Sequence, residues 1–162
     1  MRYDEVQRRS HCVYRIHYHV VLPVKYRKAL LDRAIEQYFL EVYRGIQERY
    51  EIIFEQVGFD RDHVHVLCGA APRYSPGMVV RVIKSITARE IFKRFPGLRD
   101  ELWGGELWTD GYYVATIGEG GNRDVIEAYI REQGQKPEDV QLRMFEINKF
   151  EDTPPLGAGS SL

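Results

Sequence analysis

The chain has 162 residues and a net charge of −1, so any nucleic-acid binding must come from local basic clusters and not from a uniformly basic coat. Apolar residues make up 44% and charged residues 29%, the balance of a soluble globular domain large enough to bury one sizeable core. No apolar run reaches the about 18 residues of a membrane span, MRYDEVQRRS lacks the apolar stretch of a secretory signal, and neither Cys12 nor Cys68 belongs to a CxxC, all of which points to a cytoplasmic protein.

In chain order, residues 13–22 alternate as a strand does. Tyr14, Ile16, Tyr18, Val20 and Leu22 share one face, while Arg15, His17, His19 and Val21 share the other. Pro23 ends this strand, and the basic run Lys25, Tyr26, Arg27, Lys28 follows, with Tyr26 available to stack on a base. Leu31, Ile35, Phe39, Val42 and Ile46 then recur at helical spacing over about 31–50. EIIFEQVGF reads as a strand, DRD as a turn and HVHVLCGA as the returning strand of a hairpin. Ser75-Pro76 is a helix start, and the helix runs to Phe95 before Pro96-Gly97 stops it. Residues 98–111 look irregular, and YYVATIG is a fourth strand. After the glycine joint at 118–121, Asn122 caps a helix ending at Gln133-Gly134. LRMFEI reads as a further short strand, and the chain closes on a polar, disordered tail.

The order β-α-β-β-α-β plus a C-terminal helix is that of an α+β, ferredoxin-like antiparallel sheet with helices on one face and the other face available. In it the strands at 13–22 and 63–70 are central neighbours. Residues 1–137 form one domain, and 138–162 form an extension.

His63 and His65 stand two apart on a strand and so point the same way, a spacing that suits one metal ion. His17 and His19 repeat the spacing on the first strand. A four-histidine zinc cage and a polar nucleic-acid face are therefore both open on spacing alone. Tyr129 and Gln133, four apart, share a helical face. Arg81, Lys84 and Arg89 fall within one arc of the helix after Ser75, a second basic cluster that could contact phosphates.

Taken as an ordered set, YHVVLPVKYRKALL (18–31), DHVHVL (62–67), IKSITAREIFKRFP (83–96), LWGGELWTDGYYVATIG (102–118) and YIREQ (129–133) resemble the single-tyrosine HUH transposases of small bacterial and archaeal insertion sequences and their palindrome-associated relatives. The resemblance covers roughly residues 11–134. It implies a metal-dependent transposase that cuts and rejoins single-stranded DNA through a 5′-phosphotyrosine. His63, His65 and Gln133 would be metal ligands, Tyr129 the nucleophile, and His17 and His19 surface or supporting residues. It further implies Mg²⁺ or Mn²⁺, although imidazole ligands by themselves favour manganese or zinc. It also implies recognition of a DNA hairpin, for which the basic residues at 25–28 and Arg81, Lys84 and Arg89, read from the sequence itself, are the candidate contacts. Finally, it implies a homodimer in which the tyrosine helix of one subunit can serve the other. Without the resemblance, the same residues are also consistent with a non-catalytic ferredoxin-like nucleic-acid-binding or regulatory module.

Overall fold

The structure, a computed structural model, describes residues 6–118 together with 128, 130 and 131. A four-stranded antiparallel sheet is built in the order β4 (Ile52–Phe59), β5 (His63–Ala70), β3 (His17–Pro23), β6 (Tyr113–Thr116). The two helices α1 (Arg33–Arg49) and α2 (Pro76–Arg94) pack on one face, which is the ferredoxin-like arrangement. Strands β3 and β5 are the central pair, matched from His17↔Gly69 to Pro23↔His63.

Each helix has a local cause. The Asp32 side chain accepts a hydrogen bond from the Ile35 amide to cap α1, and Ser75 does the same for α2 from Met78, with Pro76 in the first turn. Leu31, read from its spacing as helical, lies before the cap, and its amide bonds instead to the Arg61 carbonyl. Ile35, Phe39, Val42 and Ile46 of α1 and Val79, Val80 and Ile83 of α2 meet Val20, Leu22, Val64 and Val66 in the core. Cys68 is buried in the same core and Cys12 half-buried.

Alternation over 13–22 suggested one strand, but the chain breaks at 15–16. Cys12–Tyr14 (β2) instead pairs back onto Gln7–Arg9 (β1), around His11 at φ 63°, so its backbone groups are used in a separate hairpin. Residues 98–111 are also less irregular than their composition implied, because Leu98–Glu101 forms a one-turn helix, α3. The helix ending at 133 and the strand at LRMFEI lie outside the described residues. No helix of the described residues is long and apolar enough to cross a membrane.

The segment after β6's partner strand is held from both sides. Val24 and Leu31 donate to the carbonyls of Asp62 and Arg61, while Lys25 donates to that of Leu107. Trp108 is buried, and its Nε1 donates to Thr87 Oγ1 at 3.0 Å, tying the 105–110 segment to α2. Thr87→Val keeps the shape but leaves the indole N–H unpaired. It should lower unfolding stability by about 1–3 kcal/mol in urea titration, and an unchanged midpoint would contradict the account.

Candidate metal centre and nucleic-acid interface

Alternation along β3 and β5 sends Val20, Leu22, Val64 and Val66 to the helices, and His17, His19, Val21, His63 and His65 to the other face. That second face was expected to be open. It is not: His63 is 2% exposed and His65 and His19 are 0%. Nor is His17 a surface residue. It is buried, with Nδ1 at 2.8 Å from Glu55 Oε1. Glu55 is the extra residue of a β-bulge in β4, between the pairs Phe54↔Cys68 and Gln56↔Leu67, and the bulge re-aims its carboxylate towards His17.

The rings of His63 and His65 lie 5.0 Å apart, centroid to centroid. His63 Nδ1 sits 2.6 Å from Asp62 Oδ1, and Asp62 Oδ2 in turn accepts from Arg27 Nε at 3.0 Å. A carboxylate there keeps the proton on Nδ1, so the ring's lone pair lies on Nε2. His65 Nδ1 lies 3.0 Å from His19 Nε2, with the two rings stacked. When His65 donates in that contact, its lone pair too lies on Nε2. An acceptor on the far nitrogen of each imidazole is the arrangement that orients histidine ligands towards a metal. The pair therefore fits two ligands of a divalent ion. Among the described residues no group of three or more His, Cys, Asp or Glu side chains is placed to hold one, which counts against a four-histidine cage. Tyr129 and Gln133 lie outside the described residues. Between them in sequence, Ile130 is buried and Arg131 exposed.

Electrostatics follow burial. Burial lowers His19 from 6.5 to about 4. Burial, and then the neighbouring His63, His19 and Arg27, hold His65 well below its ordinary value, so its ring is neutral at pH 7 and able to bind a metal. Burial alone would raise Asp62, but its hydrogen bonds to His63 and Arg27 outweigh that and hold it below the usual carboxylate range.

The two basic clusters differ from their sequence-level description. Tyr26 is exposed, whereas Arg27 is directed at Asp62 and so belongs to the histidine site as much as to a DNA surface. Lys25 pairs with Glu106 and Asp110, and Lys28 reaches Glu101. Arg81, Lys84 and Arg89 do come together, lining one groove of about 810 Å³ between α2 and the 105–112 segment. Within it, Lys84 donates to the carbonyls of Thr109 and Asp110, so it fastens the groove wall. Arg89 pairs with Glu90 on its own helix. Asp62 and His19 were not foreseen as partners of the pair, although Asp62 stands directly before His63 and the β3–β5 register brings His19 close to His65.

Residues 12–133 match the family model described as IS200-like transposase. The chain is 35% identical over 126 residues to the ISDra2 transposase TnpA of Deinococcus radiodurans, covering 76% of this chain and 88% of that protein. The crystal structure of a D. radiodurans chain assigned as a transposase superposes with a TM-score of 0.64 at 30% identity, covering 78% of this chain and 97% of the other. A REP-associated tyrosine transposase bound to a REP hairpin superposes with a TM-score of 0.55 at 10% identity, over 93% of this chain and 81% of that one, a likeness of fold.

Two histidines that stay neutral in the fold have a consequence for stability. Below about pH 6.5 the unfolded chain takes up protons at these rings while the folded chain does not, down to about pH 4 for His19. Stability should therefore fall as pH drops through that window, by at most about 1.4 kcal/mol per pH unit for each proton. His19→Gln should flatten the slope in chemical denaturation between pH 6.5 and 4, and an unaltered slope would contradict the assignment.

Proposed function

This chain belongs to the IS200-like transposase family, and from that membership we propose that it cleaves and rejoins single-stranded DNA through Tyr129 with the help of a divalent metal ion. The observation that carries the proposal is the pair His63 and His65 on one face of β5, each with Nδ1 engaged, by Asp62 and by His19. In this reading His63, His65 and Gln133 hold Mg²⁺ or Mn²⁺. Bound there, the ion would polarise the scissile phosphate and offset charge that builds on its oxygens.

The protein's own groups do the rest. The Tyr129 hydroxyl, with an ordinary pKa of about 10, gives its proton to solvent as its oxygen attacks phosphorus. The P–O3′ bond breaks, and the leaving oxygen takes a proton to become a free 3′-OH. The product is a 5′-phosphotyrosine. Because one phosphodiester replaces another, a second 3′-OH can reverse the exchange and join a new strand without ATP. Neutral, buried His65 presents a nitrogen lone pair at pH 7, and Asp62 and Arg27 fix the His63 ring. Arg81 and Arg89 in the α2 groove and the run 25–28 bind the DNA, with Lys84 fastening the groove wall. A hairpin near the element end is the substrate feature recognised, a reading supported by the fold shared with the hairpin-bound tyrosine transposase. The working form is a homodimer in which the Tyr129 segment of one subunit can complete the histidine site of the other.

Two measurements test this. With a single-stranded hairpin oligonucleotide and Mn²⁺, the protein should form a covalent adduct on denaturing gels that Tyr129→Phe abolishes, and an adduct surviving that substitution would sink the tyrosine assignment. Asp62→Ala should weaken Mn²⁺ binding, read by electron paramagnetic resonance, by roughly 10–100-fold, with Asp62→Asn retaining part of the affinity through its amide oxygen. Equal affinity in Asp62→Ala and wild type would remove Asp62 from the site.

A further inference from the structure

The exposed surface beside the basic run contains two aromatic rings that the core does not need. Trp103 is 71% exposed and Tyr26 58%, and their rings meet edge to face with centroids 5.0 Å apart. Lys28 Nζ lies 4.2 Å from the Trp103 ring centre and donates to the Glu101 carbonyl, joining the 25–28 turn to the end of α3. Lys25 Nζ lies 5.9 Å from the Tyr26 ring centre. Lys28 lies over one face of the indole and the Tyr26 ring stands at 79° to it, yet at 71% exposure most of Trp103 still meets solvent.

The backbone beneath these rings is unusual. Among the described residues, the non-glycine positions with positive φ are His11, Tyr26, Arg27 and Trp103, and three of these four support this patch. Trp103 at φ 52° follows Leu102, the C-cap of α3, a position where glycine is the ordinary choice because the left-handed conformation crowds a side chain. Gly104 comes directly after it, also left-handed at φ 71°. A large apolar residue in a strained conformation, displayed to water, adds little to stability. Such strain is characteristic of functional surfaces. Backbone anchors before the turn, from Val24 to Asp62 and from Lys25 to Leu107, and after it, from Leu31 to Arg61, hold it in place.

We infer that Trp103 and Tyr26 form a stacking platform for an unpaired base of single-stranded DNA, with Lys25 and Lys28 alongside its phosphates. The inference rests on the reading of the chain as a single-strand transposase and adds a binding site to it. Every base offers a π-face once it leaves a duplex, and base–aromatic contacts beside cationic side chains are how single strands are gripped without sequence readout. Duplex DNA keeps its bases stacked on one another and so cannot use the platform along its length. Lys25 pairs with Glu106 and Asp110, which line the α2 groove, so the platform sits at the edge of that basic groove. Arg27, between the two platform lysines, holds Asp62 against His63, which couples the turn to the candidate metal site.

The chain has two tryptophans, and the other, Trp108, is buried and hydrogen-bonded to Thr87, so a ligand stacking on the surface is reported by Trp103. The full-length protein in EDTA is titrated with an unstructured oligo-dT of about 15 nucleotides, following tryptophan emission and the anisotropy of a labelled copy. Binding should quench the emission. Trp103→Ala should abolish the quenching and weaken affinity by roughly tenfold, while Trp103→Phe should keep affinity within about threefold of wild type. A duplex of the same length should leave the emission unchanged. Wild-type affinity in Trp103→Ala, equal quenching by duplex, or binding without quenching would overturn the platform. Because EDTA removes any metal, the result is independent of cleavage. Quenching without a covalent adduct in the hairpin assay would leave the platform standing and sink the cleavage reading.

Discussion

The antiparallel pairing of β3 with β5 is the constraint on which the site depends. Its register, from His17↔Gly69 to Pro23↔His63, decides which side of the sheet every residue of the two central strands occupies. A slip of one residue would turn Val64 and Val66 away from α1 and α2 and drive His63 and His65 into the apolar core. The core therefore enforces the geometry of the histidines, since Val64 and Val66, which alternate with them, are fully buried against the helices. The same register brings His19 to 3.0 Å from His65 across the strand pair.

Around this pair the chain places groups that act through the histidines. Asp62, the last residue of the β4–β5 turn, orients His63, and Arg27 holds Asp62 in turn. The run at 25–28 thus divides its labour. Arg27 points inward to the carboxylate, Tyr26 points outward beside Trp103, and the two lysines reach acidic groups on the segment that carries Trp103 and Trp108. Left-handed backbone at Tyr26 and Arg27 accompanies this divergence of neighbouring side chains.

The ferredoxin-like order, the central strand pair, both long helices and the start of α2 were legible from periodicity and from Ser75-Pro76, because those signals are local. What escaped was set by pairing partners or by packing. Residues 13–16 carry the alternation of a sheet strand, yet β2 bonds to β1, a choice that depends on the polar Gln7–Arg9 and not on side-chain pattern. The histidine face read as available because the ferredoxin-like order puts both helices on the opposite face, whereas the described residues bury these histidines, with Tyr113 edge-on to His19. The His17–Glu55 contact needed a bulge in β4, for which alternation has no signature. Lys84 is indistinguishable from Arg81 in a helical wheel, and only the 105–110 segment gives it carbonyls to bind. Tyr129 and Gln133 were assigned from resemblance and lie outside the described residues, so their roles rest on that resemblance.

The central claim is that β5 presents two imidazoles with their Nε2 lone pairs available to a metal. Long-range ¹H–¹⁵N correlation spectra of the protein at pH 7, recorded with Zn²⁺ as a diamagnetic probe, test it directly. The account predicts that His63 and His65 both carry their proton on Nδ1, and that their Nε2 resonances shift together on adding Zn²⁺ while the Nδ1 resonances move little. Protons found on Nε2 of both rings, or Nε2 resonances unmoved by the metal, would contradict it.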